Sequence, residues 1–163
     1  MISIRAVRAD DFATICAHRQ LMFAEMGTEA ATLDAASESY AAWLAPRLAD
    51  GGYFGFFAED HGVAIGGVGL RLLDFPPGPL HPHSEKRALV LDVYVQPEYR
   101  GRGVAAELMR RAEQELKERG IVYATLQASA MGRPLYEKLG WSATAEMGKV
   151  EGYGRGDFRR GYR

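Results

Sequence analysis

At 163 residues the chain fits one domain able to bury a core, and its 47% hydrophobic and 25% charged content is ordinary for a globular protein. A net charge of −1 gives no general attraction for nucleic acid or an anionic membrane. The lone cysteine, Cys16, excludes an intrachain disulfide, and with no signal peptide and no bilayer-length apolar run the expected setting is reducing and cytoplasmic.

Ile2–Val7 alternates and reads as a strand. Asp10 or Asp11 is placed to cap a following helix, whose stripe holds Phe12, Ile15, Cys16, Arg19, Met22, Phe23 and Met26 before Gly27 ends it. Cys16 on that stripe reads as a packed thiol. A second helix is expected from about Leu33 to Leu48, with Tyr40, Trp43 and Leu44 on its apolar side and Pro46 kinking or stopping it early. Tyr53–Ala58 and Val63–Leu70 form a hairpin around Glu59-Asp60-His61-Gly62. Gly66, Gly67 and Gly69 are frequent for a strand and suggest a bulge or a close approach. Asp74–Arg87, with four prolines, reads as a long surface loop of the kind that walls a substrate site. A strand then covers Ala88–Val95. Helical spacing of Val104, Leu108, Ala112 and Leu116 follows, with a solvated charged face and a stop at Gly120. Ile121–Gln127 reads as a strand, Pro134–Leu139 as a short helix and Trp141 to about Val150 as a last strand. The fold class is thus α/β with a mixed sheet, in the order β-α-α-β-β-β-α-β-α-β, over residues 1–150. The remaining residues, 151–163, form a tail rich in Gly, Arg and aromatics, expected to be flexible or to sit at a subunit contact.

The most informative stretch is Val93-Tyr94-Val95-Gln96-Pro97-Glu98-Tyr99-Arg100-Gly101-Arg102-Gly103-Val104-Ala105-Ala106. A buried strand runs through a short turn and two glycines into a helix. Consecutive backbone N–H groups at a helix start, with the positive end of its dipole, suit a phosphate. Gly101 and Gly103 let the phosphate approach the backbone, and Arg100 and Arg102 add guanidinium donors. No Gly-Lys-Ser/Thr follows, so this is not a Walker loop, and the spacing is not that of a dinucleotide fingerprint.

Arg100-x-x-Gly103-x-Ala105 resembles the pyrophosphate loop of the GNAT family of acetyl-CoA-dependent N-acetyltransferases. The segment Ser129-Ala130-Met131-Gly132-Arg133-Pro134-Leu135-Tyr136-Glu137-Lys138-Leu139-Gly140-Trp141 resembles that family's Asn-x-x-Ala-x-x-Leu-Tyr-x-x-x-Gly-Phe pattern. The resemblance implies the GNAT fold and an acetyl-CoA co-substrate. Val93, Tyr94 and Val95 would bond the pantetheine arm, and Gly101, Arg102, Gly103, Val104, Ala105 and Ala106 the pyrophosphate. Arg100 would brace the loop or the pyrophosphate. Ser129 stands where the family's usual Asn contacts the pantetheine, with shorter reach. Tyr136 falls at the general-acid position and would protonate or hydrogen-bond the leaving thiolate; its alternative is a core aromatic.

Asp92 is the odd carboxylate in an apolar strand, either a base, acting directly or through water, or a paired structural group. Strict alternation places Ala88, Val90, Asp92 and Tyr94 on one face. His81 and His83 lie in the preceding loop, solvated or titrating near neutral pH. No metal is expected. The implied activity is direct acetyl transfer to a primary amine of a small molecule or peptide. Alternatives are another short acyl group, or a CoA-sensing module without turnover. No nucleic-acid or membrane partner is expected, although an Arg-rich tail that contacts RNA is a further reading. A homodimer is compatible with the tail's aromatics.

Overall fold

The computed structural model describes residues 1–152; from Tyr153 onward the tail, with the expectations placed on it, lies outside the described residues. Among the described residues five strands form one sheet in chain order: β1 (Ile2–Ala6), β2 (Phe54–Asp60), β3 (Val63–Asp74), β4 (Lys86–Val95) and β5 (Ala124–Leu126). All neighbours are antiparallel except β4 and β5, which run parallel. Helices α1 (Phe12–Glu25) and α2 (Ala30–Ala49) cover one face, and α3 (Val104–Glu118) and α4 (Arg133–Lys138) attend the other.

The two faces of the sheet have separate cores, as alternating strand side chains require. On one side Ile15, Tyr40 and Leu44 pack against Tyr53 and Phe57. On the other, Val104, Leu108, Met109, Ala112 and Leu116 of α3 meet Phe56, Val68, Leu70, Ala88 and Val90. Burying each such aliphatic side chain contributes about 1.5–3 kcal/mol, so this strongly two-faced helix holds the sheet's rear without help from its charged side.

Several expectations change. Pro46 does not stop α2; it sits in the last turn, and the helix runs on to Ala49, with Asp50 N–H closing on the Pro46 carbonyl at 3.0 Å. Asp11 does not cap α1. Its carboxylate closes a 3₁₀ turn (Ala9–Asp11) by accepting from Arg8 N–H at 2.7 Å, and it takes both Nη groups of Arg5 at 2.7 and 2.8 Å. The hairpin strands extend further than expected, with Asp74 opposite Lys86, so the proline-rich loop shrinks to residues 75–85. His81 within it is buried, stacked on Tyr123 at 5.4 Å.

The expected strand from Trp141 to Val150 is absent among the described residues. Ser142–Val150 offers small residues and little apolar surface to hold it against the sheet, and Met147 stands 98% exposed.

Candidate active site

The sheet opens at its centre. β4 and β5 pair only over Ala88–Val90 with Ala124–Leu126, and the ladder then ends. Beyond it, among the described residues, Leu91–Val95 remains paired to β3 on one side alone. β4 is also irregular here: Tyr94 lies opposite Gly67, but Leu91 opposite Gly69, so β4 spends one residue more than β3. The extra residue falls at Asp92, whose φ of +56° is left-handed, a conformation Asp tolerates better than most side chains.

The bulge overturns the strict alternation expected for β4. Ala88, Val90, Val93 and Val95 join the core under α3, whereas Leu91 and Asp92 both turn toward α1 and α2, as does Tyr94. Asp92, with its side chain 5% exposed, meets three donors there: Arg19 Nη1 at 2.5 Å on Oδ1, and Tyr40 Oη at 2.5 Å and Tyr53 Oη at 3.0 Å on Oδ2. Gly69 makes room for this, since a Cβ there would lie 2.2 Å from the Tyr53 hydroxyl. Arg19 also lies against the rings of Tyr40 and Phe23, 4.2 and 4.9 Å from their centroids.

Burial, followed by the Asp92 charge, pushes the Tyr40 and Tyr53 phenols above their usual range. Burial alone lifts Tyr136 to about 12. All three therefore ionise later in the folded than in the unfolded chain, where phenols titrate near 10.0. Above that pH the unfolded state binds fewer protons, so stability falls as pH rises. Urea midpoints should be insensitive to these groups below about pH 10 and drop steadily above it; a midpoint unchanged through that alkaline range would contradict the burial of these phenols.

Asp92 and Tyr136 line one cavity of about 150 Å³ between the parting strands, with Ser129, Val93 and side chains of α1. Tyr136 Oη has no hydrogen-bond partner among the described residues. Ser129 Oγ accepts Gly132 N–H at 3.1 Å and so shapes the turn entering α4.

The glycine loop leads from the end of β4 into α3. Gly101 and Gly103 have φ of +73° and +80°, and a Cβ at either would meet nothing within 4 Å. The loop thus bares its backbone to open space just where α3 presents the N–H groups of Val104, Ala105 and Ala106, which have no partner earlier in the helix. Arg100 turns inward: Nε donates to the Val95 carbonyl at 2.8 Å and Nη2 to Glu25 at 2.6 Å, locking the loop to β4 and α1. Arg102 lies over the Tyr99 ring.

Sequence reasoning assembled the loop, β4 and Tyr136 but missed Arg19, Tyr40 and Tyr53. The available signal was a cation inside the apolar stripe of α1, awaiting the one carboxylate inside an apolar strand.

Residues 19–141 match the model of the acetyltransferase (GNAT) family. The structure resembles a GCN5-related N-acetyltransferase from Ralstonia eutropha JMP134, at 46% identity over 92% of this chain and 98% of that one, with a TM-score of 0.90. It also resembles a predicted acetyltransferase from Clostridium acetobutylicum, solved with acetyl-CoA, at 26% identity over 93% and 96% of the chains and a TM-score of 0.84. A ribosomal-protein-alanine N-acetyltransferase from Brucella melitensis biovar Abortus 2308 shares the fold, at 22% identity over 94% and 100% of the chains and a TM-score of 0.67. No curated protein matches the sequence. The chain belongs to the GNAT family and is an acetyltransferase of that family. Among the described residues no helix is long and apolar enough to cross a membrane, and no cluster of three or more His, Cys, Asp or Glu is placed to hold a metal.

Proposed function

We propose that the protein transfers the acetyl group of acetyl-CoA to a primary amine by direct attack in a ternary complex. The observation that carries this reading is the parting of β4 from β5 beside the bare glycine loop. A strand edge without a β5 partner, a small cavity and a bare glycine loop all adjoin the far half of β4 and the start of α3. Gly101–Ala106 would hold the pyrophosphate, and the free edge at Val93–Val95 the amides of the pantetheine arm. Arg100 supports the loop from behind, with Nε on the Val95 carbonyl and Nη2 on Glu25.

The thioester carbon would then lie in the cavity shared by Tyr136 and Asp92. The amine nitrogen attacks it, the C–N bond forms, the C–S bond breaks, and the proton lost by nitrogen is balanced by one gained at sulfur. Tyr136 donates toward that sulfur. With its phenol pushed up to about 12, full transfer to a thiolate of thiol-like basicity is uphill, so stabilisation by the hydrogen bond is its larger contribution.

Asp92 is a positioning residue in this reading. Both oxygens are already occupied by three donors, which leaves little capacity to accept the ammonium proton. Its work is to fix the bulge and to hold Arg19 at the cavity wall.

The test is thiol release from acetyl-CoA across a library of primary amines, with CoA binding followed by calorimetry. Amine-dependent release with an N-acetylated product is expected. CoA binding without release for any amine would overturn the transfer reading in favour of a binding module.

A further inference from the structure

A second cavity, of about 240 Å³, lies between α1 and α2. Thr28, Thr32 and Ser37 supply hydroxyls to it, and Leu33, Ala36 and Phe23 apolar surface. Arg19 and Phe23 line both this cavity and the catalytic one, so they form the wall between them.

The two cavities have a one-sided electrostatic character. Among the described residues neither is lined by a carboxylate except Asp92, whose oxygens already accept three hydrogen bonds. Among the described residues their one lining cation is Arg19. A guanidinium has five N–H donors in a planar fork. In Arg19, Nη1 serves Asp92, while the other donors have no protein acceptor among the described residues. The side chain is 28% exposed, so those donors are reachable, and its contacts with Tyr40 and Phe23 hold the plane in place before any ligand arrives. Among the described residues a polyamine or another polycation finds no carboxylate here beyond Asp92, already held by Arg19, Tyr40 and Tyr53, whereas a carboxylate finds a pre-oriented fork suited to it.

We infer that the acceptor amine carries a carboxylate, which the free edge of Arg19 seats at the wall between the two cavities. Its amine then points toward the thioester, and the remainder of a small molecule occupies the α1–α2 cavity. An α-amino acid has this chemistry. The inference rests on the transfer reading above and narrows its acceptor.

The experiment compares L-α-amino acids, their carboxamides and linear diamines as acceptors with acetyl-CoA, in thiol-release assays and in calorimetric binding to the CoA-loaded protein. Losing a charge-assisted contact predicts kcat/KM about 10- to 100-fold higher for the acids than for the carboxamides. Arg19→Gln should collapse that ratio toward one. Because this change also frees Asp92, Arg19→Lys provides a second variant that keeps the charge but loses the fork, and the wild-type ratio needs no variant at all. Thiol release in which carboxamides or diamines equal or exceed the acids overturns the inference and leaves the transfer reading intact. Carboxylate-selective binding without release from any amine overturns the transfer reading while keeping Arg19 as a carboxylate site. If the carboxylate arrives instead on the donor, succinyl-CoA will outperform acetyl-CoA with carboxylate-free amines, and the acceptor assignment falls.

Discussion

Replacing Tyr136 by Phe should lower kcat by about 10²-fold, the usual effect of losing one donor aimed at developing charge. CoA affinity should stay unchanged. The substitution deletes only the hydroxyl; the ring keeps its place beside Trp141, with centroids 6.5 Å apart, so neither the α4 turn nor the core under it loses packing. Among the described residues the hydroxyl has no partner to leave behind, so little stability is at stake. Single-turnover measurements separate the outcomes: a slowed acetyl-transfer step with normal binding assigns Tyr136 to the leaving sulfur. An unchanged rate makes it a core aromatic and moves sulfur protonation elsewhere.

Asp92→Ala should be the most destabilising single change in the site, at about 3–5 kcal/mol, because it strands a partly buried cation and two buried phenols. Against a total stability of about 5–15 kcal/mol this approaches unfolding. Alanine also fits the φ of +56° poorly. Asp92→Asn is the informative partner, since it tolerates the left-handed backbone and keeps one acceptor oxygen. Urea unfolding should rank wild type above Asn above Ala. If Asp92 positions Arg19, the Asn variant keeps a wild-type pH–rate profile at reduced rate. A rate depressed most at low pH would instead make Asp92 the base.

The glycine loop was legible because its signal is local. Gly101 and Gly103 stand two residues apart, the apolar run before them reads as a buried strand, and the amphipathic α3 after them carries its own helical period. The β2–β3 hairpin was legible for the same reason. The Asp92 cluster was not, because its partners come from α1, α2 and the residue just before β2, 73, 52 and 39 residues away in sequence. The bulge was hidden as well: Leu89–Val95 is nearly all apolar, so no alternation marks where its phase slips. The glycines of β3 gave a trace of it, and Gly69 proved to be space for the Tyr53 hydroxyl. The strand expected after Trp141 failed for the opposite reason, since an aromatic start was followed by too little side-chain surface to bury.

The parting of β4 from β5 also bears on solubility. It leaves main-chain donors and acceptors without a ladder partner, and such a row at the margin of a sheet is a template on which foreign strands add and aggregates grow. Here the row is interior. The bulge throws its spacing out of step with a regular strand, and side chains from α1 and α4 flank the gap. A polypeptide needs register at every residue to zip onto an edge, whereas a slender unbranched thread with a few amides needs only two or three matched bonds. In the proposed reading the same irregularity would admit the second while working against the first, as a regular open edge would not.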